Sequence, residues 1–411
     1  MSDHSFWQDF FAQAVGVVSP SACVASALPD PSLYRSIKII AAGKAATAMA
    51  AVVEQSWPTQ SFSGIAVCPY GHQTICRKFQ VIEAAHPVPD KNSLMAAQKV
   101  LSLAATVEPG DLLLVLLSGG ASSLLSAPVD GMTLAVKKDL TNGLLKAGAP
   151  IEEMNLIRSY YSKIKSGGLL AQVPKGAEVL TLAISDVVSD DPAKIGSGPT
   201  HWSISPADMV DQLLRKYGIS APEIRVPPRE EQVVSGRYQI VACADAMLAA
   251  AAAWLTTKGF WVIDLGRAEQ GEARDVAMQH VHQIVESLKE NPDRKIAFLS
   301  GGELTVTVSG AGKGGPNQEY LLTVMSKLEP GKFAGFAADT DGRDGIGGAA
   351  GAFFDPATHR ITHKRGLYAK ALKNNDSFNF FKEIKVLFKV TPTLTNVNDV
   401  RVILYQSKKF T

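Results

Sequence analysis

The stretch DLLLVLLSGGASSLL at residues 111–125 decides the fold class of this sequence. Six apolar residues in a row before Ser118 predict a short strand that is buried on both faces. The two glycines that follow predict a tight turn, and the alanine and leucine residues beyond them predict a helix. An apolar strand that passes through a glycine turn into a helix is typical of a parallel sheet covered by helices.

The same pattern occurs three more times along the chain. It is found as IKIIAAGKAATAMAAVVEQ at 37–55, as KIAFLSGGELTV at 295–306 and, without glycine in the turn, as QIVACADAMLAAAAAWL at 239–255. In the copy at 295–306, β-branched residues follow the turn. The repetition predicts an α/β protein whose sheets are mostly parallel and are covered on both faces.

The length of 411 residues predicts two domains, because a single hydrophobic core rarely serves so long a chain. The best linker candidate is 217–237, which holds three prolines and a cluster of charges. We therefore predict domains at 1–235 and 236–411. Parallel strands carry their ligand loops at the carboxyl ends, so an active site is expected in the cleft between the domains.

Composition excludes several classes of protein. Hydrophobic residues make up 46% of the chain, charged residues 19%, and the net charge is +2. This balance argues against disorder, and the small charge gives no reason to expect nucleic acid or an anionic membrane as a partner. The amino terminus has no signal-peptide pattern, and the apolar runs are too short to span a membrane. Scattered cysteines without zinc or disulfide spacing favour a soluble, cytoplasmic protein with free thiols; they are Cys23, Cys68, Cys76 and Cys243.

The loop at 118–123 is the first candidate site. Its residues Gly119 and Gly120 let backbone N–H groups approach an anion, and Ser118, Ser122 and Ser123 add hydroxyl donors. An ordinary strand-to-helix turn needs the same glycines, so anion binding and a purely structural turn are about equally supported by spacing alone.

Two further glycine turns resemble the first. Gly301 and Gly302 precede Glu303, whose carboxylate could meet a metal or a hydroxyl. Gly43 precedes Lys44, which could reach a phosphate as a point charge. The first glycine of a Walker A loop is missing, so that motif is excluded; a solvated lysine at a helix start is the alternative.

Aspartates cluster in two loops that follow predicted strands, at 185–192 and at 339–345. Carboxylates at strand ends suit Mg²⁺ held together with substrate phosphates. Helix capping and turn formation also favour aspartate beside glycine and proline, and each loop alone fits that account slightly better. The two loops together favour a functional role. The second loop is no EF-hand, because Arg343 stands at the fifth position. The glycine-rich loop at 310–315 lacks GxGxxG order, so no dinucleotide fingerprint is present, and no GxSxG motif indicates a hydrolase.

Nine motifs in order along the chain resemble glycerate 2-kinases of the MOFRL type, some of which carry the older label hydroxypyruvate reductase. The motifs are AAGKAA at 41–46, HPVPD at 86–90, LLSGGASSLL at 116–125, SDVVSDDPAKIGSGPT at 185–200, SGGELTV at 300–306, GKGGPNQE at 312–319, TDGRDG at 340–345, NDSF at 375–378 and TNVND at 395–399. They extend over nearly the whole chain, and the ordered set is far more specific than any single member.

The resemblance implies ATP and Mg²⁺ as cofactors and two three-layer α/β domains with mostly parallel sheets. The larger N-terminal domain is expected to be Rossmann-like, and the smaller C-terminal one to be the MOFRL domain. It also implies Lys44 as the phosphate lysine, Ser118–Ser122 as an anion loop, and an acidic lining of the cleft. That lining consists of Asp186, Asp190, Asp191, Glu303 and Asp341.

The sequence departs from the family pattern at five positions. Pro316 stands where many relatives have arginine, Tyr160 where histidine is frequent, and Gly348 where aspartate is usual. Thr391 and Leu394 stand where glycine is typical. The loss of arginine removes a charge expected near phosphate, for which Arg343 and Lys313 are the candidate replacements.

These observations predict a kinase that transfers the γ-phosphoryl group of ATP to the 2-hydroxyl of D-glycerate. Lys44, Asp186 and Asp190 are the predicted catalytic residues, and Asp191 and Glu303 the predicted metal ligands. The predicted substrate and nucleotide contacts are Ser118, Gly119, Gly120, Ser122, Arg158, Lys165, Gly301, Gly302, Lys313, Asn317, Asp341 and Arg343. Alternatives are an NAD(P)H-dependent hydroxypyruvate reductase, a kinase of a related sugar acid, and a non-catalytic sensor. A homodimer is compatible with the sequence.

Overall fold

The computed structural model describes residues 4–220, 224, 226, 235–365 and 367–407. It divides into two compact units. The first is Pro20–Val241, and the second combines Met1–Ser19 with Ala242–Thr411.

The first unit is built on a six-stranded sheet in the order β3-β2-β1-β4-β5-β6. The pairings of β3 with β2, β2 with β1, β1 with β4, and β4 with β5 are all parallel. Every residue of β4 is buried, as the apolar run predicted. The carboxyl ends of β1 to β5 therefore lie along one edge of the sheet. The strands are β1 (Ile37–Ala42), β2 (Ser63–Pro69), β3 (Phe79–Ala84), β4 (Leu112–Leu117), β5 (Glu178–Ile184) and β6 (Ser235–Ala242).

The helices of this unit contribute to two distinct hydrophobic clusters among the described residues. The larger core lies along the sheet and includes Val115 and Leu117 of β4. The smaller one joins helices α6, α7 and α8 through residues such as Leu140, Ile157 and Leu214, and we call this part the helical subdomain. The helices are α2 (Pro20–Cys23), α3 (Ala46–Ser56), α4 (Lys91–Ala104), α5 (Ala121–Leu124), α6 (Leu134–Lys146), α7 (Ile151–Tyr160) and α8 (Ala207–Lys216), with 3-10 turns at Ala25–Ala27, Pro31–Leu33, Leu170–Gln172 and Ile195–Ser197.

The second unit also has a six-stranded sheet, in the order β11-β10-β9-β12-β8-β7. Its strands are β7 (Trp261–Glu272), β8 (Ile296–Thr305), β9 (Phe333–Asp339), β10 (Gly351–Phe354), β11 (Leu387–Phe388) and β12 (Asp399–Tyr405). Its helices are α1 (His4–Gly16), α9 (Ala244–Thr257), α10 (Ala273–Glu290), α11 (Pro316–Lys327), α12 (Pro356–Arg365), α13 (Tyr368–Lys373) and α14 (Ser377–Glu383).

The two-domain α/β prediction is confirmed, and the parallel order holds in the first sheet. The second sheet differs from the prediction, because only β7 and β8 pair in parallel while the other four pairings are antiparallel. A helical crossover is what joins parallel neighbours, and α10 supplies one between β7 and β8. Strand β12, the last of the described strands, inserts antiparallel between β8 and β9.

The units also divide the chain differently from the predicted boundary at 235. Strand β6 belongs to the first sheet, where Arg237 forms an ion pair with Glu178 of β5 at 2.6 Å. Helix α1 belongs to the second unit, because Trp7 stacks on Phe336 of β9 with 5.3 Å between ring centroids. Most of the predicted linker 217–237 lies outside the described residues.

Within the described ranges, no single helix is long and apolar enough to cross a membrane. A bent pair, His4–Gly16 with Pro20–Leu33, meets the criterion by length and composition only.

Candidate functional site

Two turns interlock at the carboxyl edge of the first sheet. The Lys44 N–H donates to the Gly119 carbonyl at 2.8 Å, and the Ala45 N–H donates to Ser118 Oγ at 3.0 Å. Gly43 has a φ of 129°, and a Cβ there would overlap Ser118. Glycine is therefore required where the chain turns past β4, and the turn after β1 carries Lys44 beside the turn after β4.

The three serines of the 118–123 loop have different roles. Ser118 is buried and its hydroxyl accepts the Ala45 N–H, so it joins the two turns. The Ser123 hydroxyl donates to the Gly120 carbonyl at 3.1 Å within its own turn. Ser122 alone is directed toward cationic side chains, as described next. The structure therefore assigns structural contacts to Ser118 and Ser123 and leaves Ser122 as the serine of this loop that meets positive charge.

Ser122, Arg158, Lys165 and Ser197 meet in a group that we call the basic cluster. The Lys165 ammonium is buried and donates to the Ser122 hydroxyl, to the Ser122 carbonyl at 3.0 Å and to Ser197 Oγ at 3.0 Å. The two serine hydroxyls are 2.9 Å apart, and Arg158 Nη2 lies 3.5 Å from Ser122 Oγ. Because the ammonium donates to three oxygens, its role is to orient the serines, while Arg158 is the half-buried cation beside them.

The electrostatics of the basic cluster favour an anion. Burial lowers the pKa of Lys165 well below its ordinary value, and the neighbouring Arg158 and Lys137 lower it further. Burial also lowers the pKa of Arg158. Both shifts mean that the charged forms are destabilised by the surroundings, so a carboxylate or phosphate placed there would stabilise them. The sequence-predicted contacts Arg158 and Lys165 are thus brought together with Ser122.

The acidic loop after β5 packs beside the basic cluster. The Ser166 N–H donates to the Ser197 carbonyl at 2.9 Å, which ties this loop to the segment that carries Lys165. Asp186 lies two residues beyond the end of β5 and is partly buried. Asp191 Oδ1 accepts the Ala193 N–H at 2.9 Å, so that carboxylate shapes a turn. Among the described residues, no group of three His, Cys, Asp or Glu side chains is arranged to hold a metal ion.

The glycines at 301–302 do not form the strand-to-helix turn that their sequence predicted. They lie inside β8, where Gly302 pairs with Glu269 of β7 at a register shift. A Cβ at Gly302, whose φ is 98°, would overlap the Glu269 backbone. Gly301 and Gly302 are therefore needed for close strand packing, and Glu303 is an exposed residue of the same strand.

Asn317 is buried in a polar network in the second unit. Its side-chain amide donates to Asp399 at 2.6 Å, and its backbone N–H donates to Asp344 Oδ1 at 3.0 Å. Asp399 forms a buried ion pair with Arg401 at 2.8 Å, and Arg401 also donates to the Gly301 carbonyl. The predicted contact Asn317 therefore has internal partners that hold α11, β8 and β12 together.

Asp344 is an important residue that the sequence alone did not single out. Its carboxylate accepts the backbone N–H groups of Asn317 and Gln318, at 3.0 and 2.9 Å, at the start of α11. An internal carboxylate therefore occupies the helix N-terminus that an external anion would otherwise use. The Asp-Gly pair at 344–345 predicted a turn. Nothing in the local sequence indicated that Asp344 caps a helix that is distant along the chain.

The stability of the second unit is expected to depend on the protonation of Asp344. Burial, reinforced by the negative Asp399, raises the pKa of Asp344 to about 7 despite the hydrogen bonds from Asn317 and Gln318. In the unfolded chain an aspartate releases its proton near pH 4 (about 3.9). In the folded protein Asp344 stays protonated to a higher pH than in the unfolded chain. Its contribution to folding stability is therefore fully present below the unfolded pKa and is lost as the pH rises toward 7. Urea unfolding midpoints measured across this range should fall with pH in the wild type.

The variant Asp344→Asn should remove most of that slope, because the amide does not titrate. Asp341→Asn is the matched control in the same loop, since Asp341 is only partly buried. Equal slopes in the wild type and in Asp344→Asn would contradict the assignment.

The remaining predicted contacts of the second unit lie on two adjoining loops. The Lys313 N–H donates to Asp376 Oδ1 at 3.0 Å, which attaches the glycine-rich loop to the NDSF segment. Asp341 Oδ1 accepts the Arg343 N–H at 2.8 Å and so forms a turn. The side chains of Lys313 and Arg343 are both exposed. The loops approach closely, because the Ile346 N–H donates to the Gly314 carbonyl at 3.0 Å.

Two family models match the chain. A domain of unknown function, DUF4147, matches residues 6–228, and the MOFRL family matches residues 296–399. The first match covers more than half of the chain, so the protein belongs to the DUF4147 family, with a MOFRL domain after it. The resemblance inferred from the ordered motifs is thereby confirmed.

Relatives match over almost the full length. A putative hydroxypyruvate reductase from Agrobacterium vitis is 39% identical over 96% of this chain and 92% of its own length. A D-glycerate 2-kinase from Thermotoga maritima is 35% identical over 94% of this chain and 95% of its own. A solved glycerate kinase from Thermotoga maritima is similar with a TM-score of 0.88 at 32% identity, covering 98% of this chain and 99% of that one.

Proposed function

We propose that this protein is a glycerate 2-kinase that phosphorylates D-glycerate with ATP to give 2-phosphoglycerate. The observation that carries the proposal is the basic cluster beside the Lys44 turn, on one edge of a parallel sheet. Two positive regions close together suit a reaction between two anionic substrates, a nucleotide and a sugar acid. Kinases among the full-length relatives support the same reaction.

Phosphoryl transfer requires positioning and charge neutralisation more than covalent chemistry. Lys44 neutralises the transferring phosphoryl group as a point charge. The basic cluster takes a second anionic group through Arg158 and the hydroxyl of Ser122, while Lys165 orients that hydroxyl. Asp186, at the end of β5, accepts the proton of the glycerate hydroxyl or contacts Mg²⁺, and Asp190 is the alternative for the proton.

The donor set fits a magnesium ion that is held mainly by the nucleotide. Mg²⁺ commonly takes one or two carboxylates together with substrate phosphates and water, so a full protein cage is not required. The loop after β5 supplies such carboxylates, with Asp186 the best placed. Asp191 is a weaker ligand candidate, because one of its oxygens accepts the Ala193 N–H. We also propose contacts to metal or phosphate from four residues of the second unit, Glu303, Lys313, Asp341 and Arg343.

The reductase alternative has less support. The turn after β1 has the single glycine Gly43 and so lacks GxGxxG order, and no acidic residue at the usual spacing follows it. The experiment below still tests for reductase activity, because the Agrobacterium vitis relative is named a putative hydroxypyruvate reductase.

A product analysis by ³¹P NMR separates these functions. Incubation with ATP, Mg²⁺ and D-glycerate should produce the signal of 2-phosphoglycerate and an equal amount of ADP. A parallel reaction with hydroxypyruvate and NADH, without ATP, should leave the NADH absorbance unchanged. Oxidation of NADH with no phosphorylated product would overturn the proposal, and 3-phosphoglycerate as the product would correct the position of transfer.

A further inference from the structure

A cavity of about 430 Å³ lies in the first unit, beside the basic cluster. It is situated where the sheet core meets the helical subdomain. Trp202, which packs against the sheet core, lines one side, and Tyr160, which packs against the helical core, lines another. Pockets between packed substructures are a common location for small-molecule sites.

The lining combines aromatic rings and hydroxyl groups with aliphatic side chains. Trp202 is half-buried and packs against Gly167, where a Cβ would lie 2.7 Å from the ring. Four serines also line the cavity; they are Ser159, Ser166, Ser203 and Ser205. An aromatic face offers stacking to a planar ring, and hydroxyls can donate to or accept from polar atoms at the ring edge. These features fit a planar heteroaromatic ring better than an aliphatic ligand.

The position of the charges specifies the ligand further. Arg158 immediately precedes Ser159, and Lys165 immediately precedes Ser166, so each cation of the basic cluster adjoins a serine of the cavity wall. A ligand with a ring in the cavity would extend its anionic part toward the cluster. A three-carbon acid has no ring and would leave most of a cavity of this size unfilled.

From this geometry we infer that the cavity binds the purine base of the nucleotide, with its inner phosphates on the basic cluster. The inference rests on the proposed kinase function and deepens it by naming the nucleotide subsite. It leaves Lys44 for the transferring phosphoryl group and assigns the basic cluster, with Ser122, to the nucleotide instead of the sugar acid. Trp202 is then the residue that discriminates a nucleoside triphosphate from bare polyphosphate.

Steady-state kinetics of two variants test the subsite. Trp202→Ala should raise KM for ATP about tenfold, because stacking of a base on an aromatic ring is lost, and should leave KM for glycerate within about twofold. Ala207→Trp should have a similar effect by filling the cavity from its exposed rim, without removing a side chain from the core. Trp202→Phe keeps a stacking surface and should stay near wild type. Trp261→Ala, in the second unit, is the matched control and should not change KM for ATP.

Binding of adenosine gives a readout independent of catalysis. Adenosine should quench the fluorescence of the wild type and of Trp261→Phe, but not that of Trp202→Phe, whereas tripolyphosphate should quench none of them. An unchanged KM for ATP in both Trp202→Ala and Ala207→Trp would overturn the subsite while the kinase proposal stood. If no phosphoglycerate formed at all, the kinase proposal would fail, and adenosine quenching that depends on Trp202 would still support a purine site.

Discussion

Replacing Lys44 by alanine is expected to lower kcat/KM for glycerate by about 100-fold or more. The turn that carries Lys44 is fixed by the hydrogen bond to Gly119 and by the close approach of Gly43 to Ser118. In the proposed mechanism the Lys44 ammonium, carried by this fixed turn, stabilises charge that develops in the transition state. The loss of one such group commonly costs 10² to 10³ in rate, on the order of 3–4 kcal/mol. Initial rates with saturating ATP and varied glycerate would measure the effect.

Lys175→Ala is the matched control for this variant. Lys175 is exposed and precedes β5, at the opposite edge of the same sheet, so its loss should leave kcat/KM unchanged. Lys44→Arg should recover part of the activity, because the charge is kept while its position shifts. A kcat/KM within about threefold of wild type in Lys44→Ala would contradict the catalytic assignment.

Replacing Arg401 by methionine is expected to destabilise the second unit by about 3–5 kcal/mol. The substitution leaves Asp399 buried without its cation, and breaking a buried ion pair from one side typically costs that amount. A loss of this size lowers the melting temperature by roughly 10 °C in a unit of this length. Calorimetric or fluorescence melting would measure the shift.

The pH dependence of this variant separates charge from packing. Burial raises the pKa of Asp399, and Arg401 opposes that rise in the wild type. Without Arg401, protonation of Asp399 removes the uncompensated charge, so the loss of stability should shrink as the pH falls. Lys289→Met, which breaks the exposed pair with Glu286, should change the melting temperature little. A loss in Arg401→Met that did not vary with pH would indicate packing as its cause.

The parts of the fold that follow from local pattern could be predicted from the sequence. The apolar run before Ser118 has one favourable solution, a strand buried on both faces, and the glycines after it end that strand. The direction of pairing in the second sheet had no local signal. Strand β12 has the same apolar character whether its neighbours run parallel or antiparallel, and its position between β8 and β9 is decided by tertiary packing.

The candidate site was predicted in a similar, partial way. Lys44 and Ser122 are placed by strand-to-helix turns that the sequence reveals, so the contact between the two turns could be anticipated. The SGGE segment at 300–303 has a sequence typical of a turn, but it pairs with β7 and continues as part of strand β8. Asn317 was predicted as a ligand contact from its motif. Its buried partner Asp399 lies 82 residues away in the sequence, and a local motif gives no information about such a distant contact.

Two departures from the family pattern have a physical explanation in the structure. Pro316 is the first residue of α11, a position where proline is tolerated because its missing N–H has no helical partner. Leu394, where glycine is typical, has a φ of 57°, a left-handed conformation that costs a leucine about 1–2 kcal/mol. Leu394→Gly is therefore compatible with the backbone as it stands.

The sequence of synthesis has a consequence for how this protein matures. Helix α1 is synthesised before the other elements of its unit, and its aromatic partner Phe336 follows more than 300 residues later. The first unit is contiguous from Pro20 to Val241, so it can fold before the second unit has been synthesised. During that time Trp7 and Phe10 of α1, which are buried in the folded protein, stay exposed. We therefore expect nascent chains to depend on a chaperone that binds this end. We also expect that removal of the first 19 residues exposes an aromatic surface on the second unit and promotes aggregation.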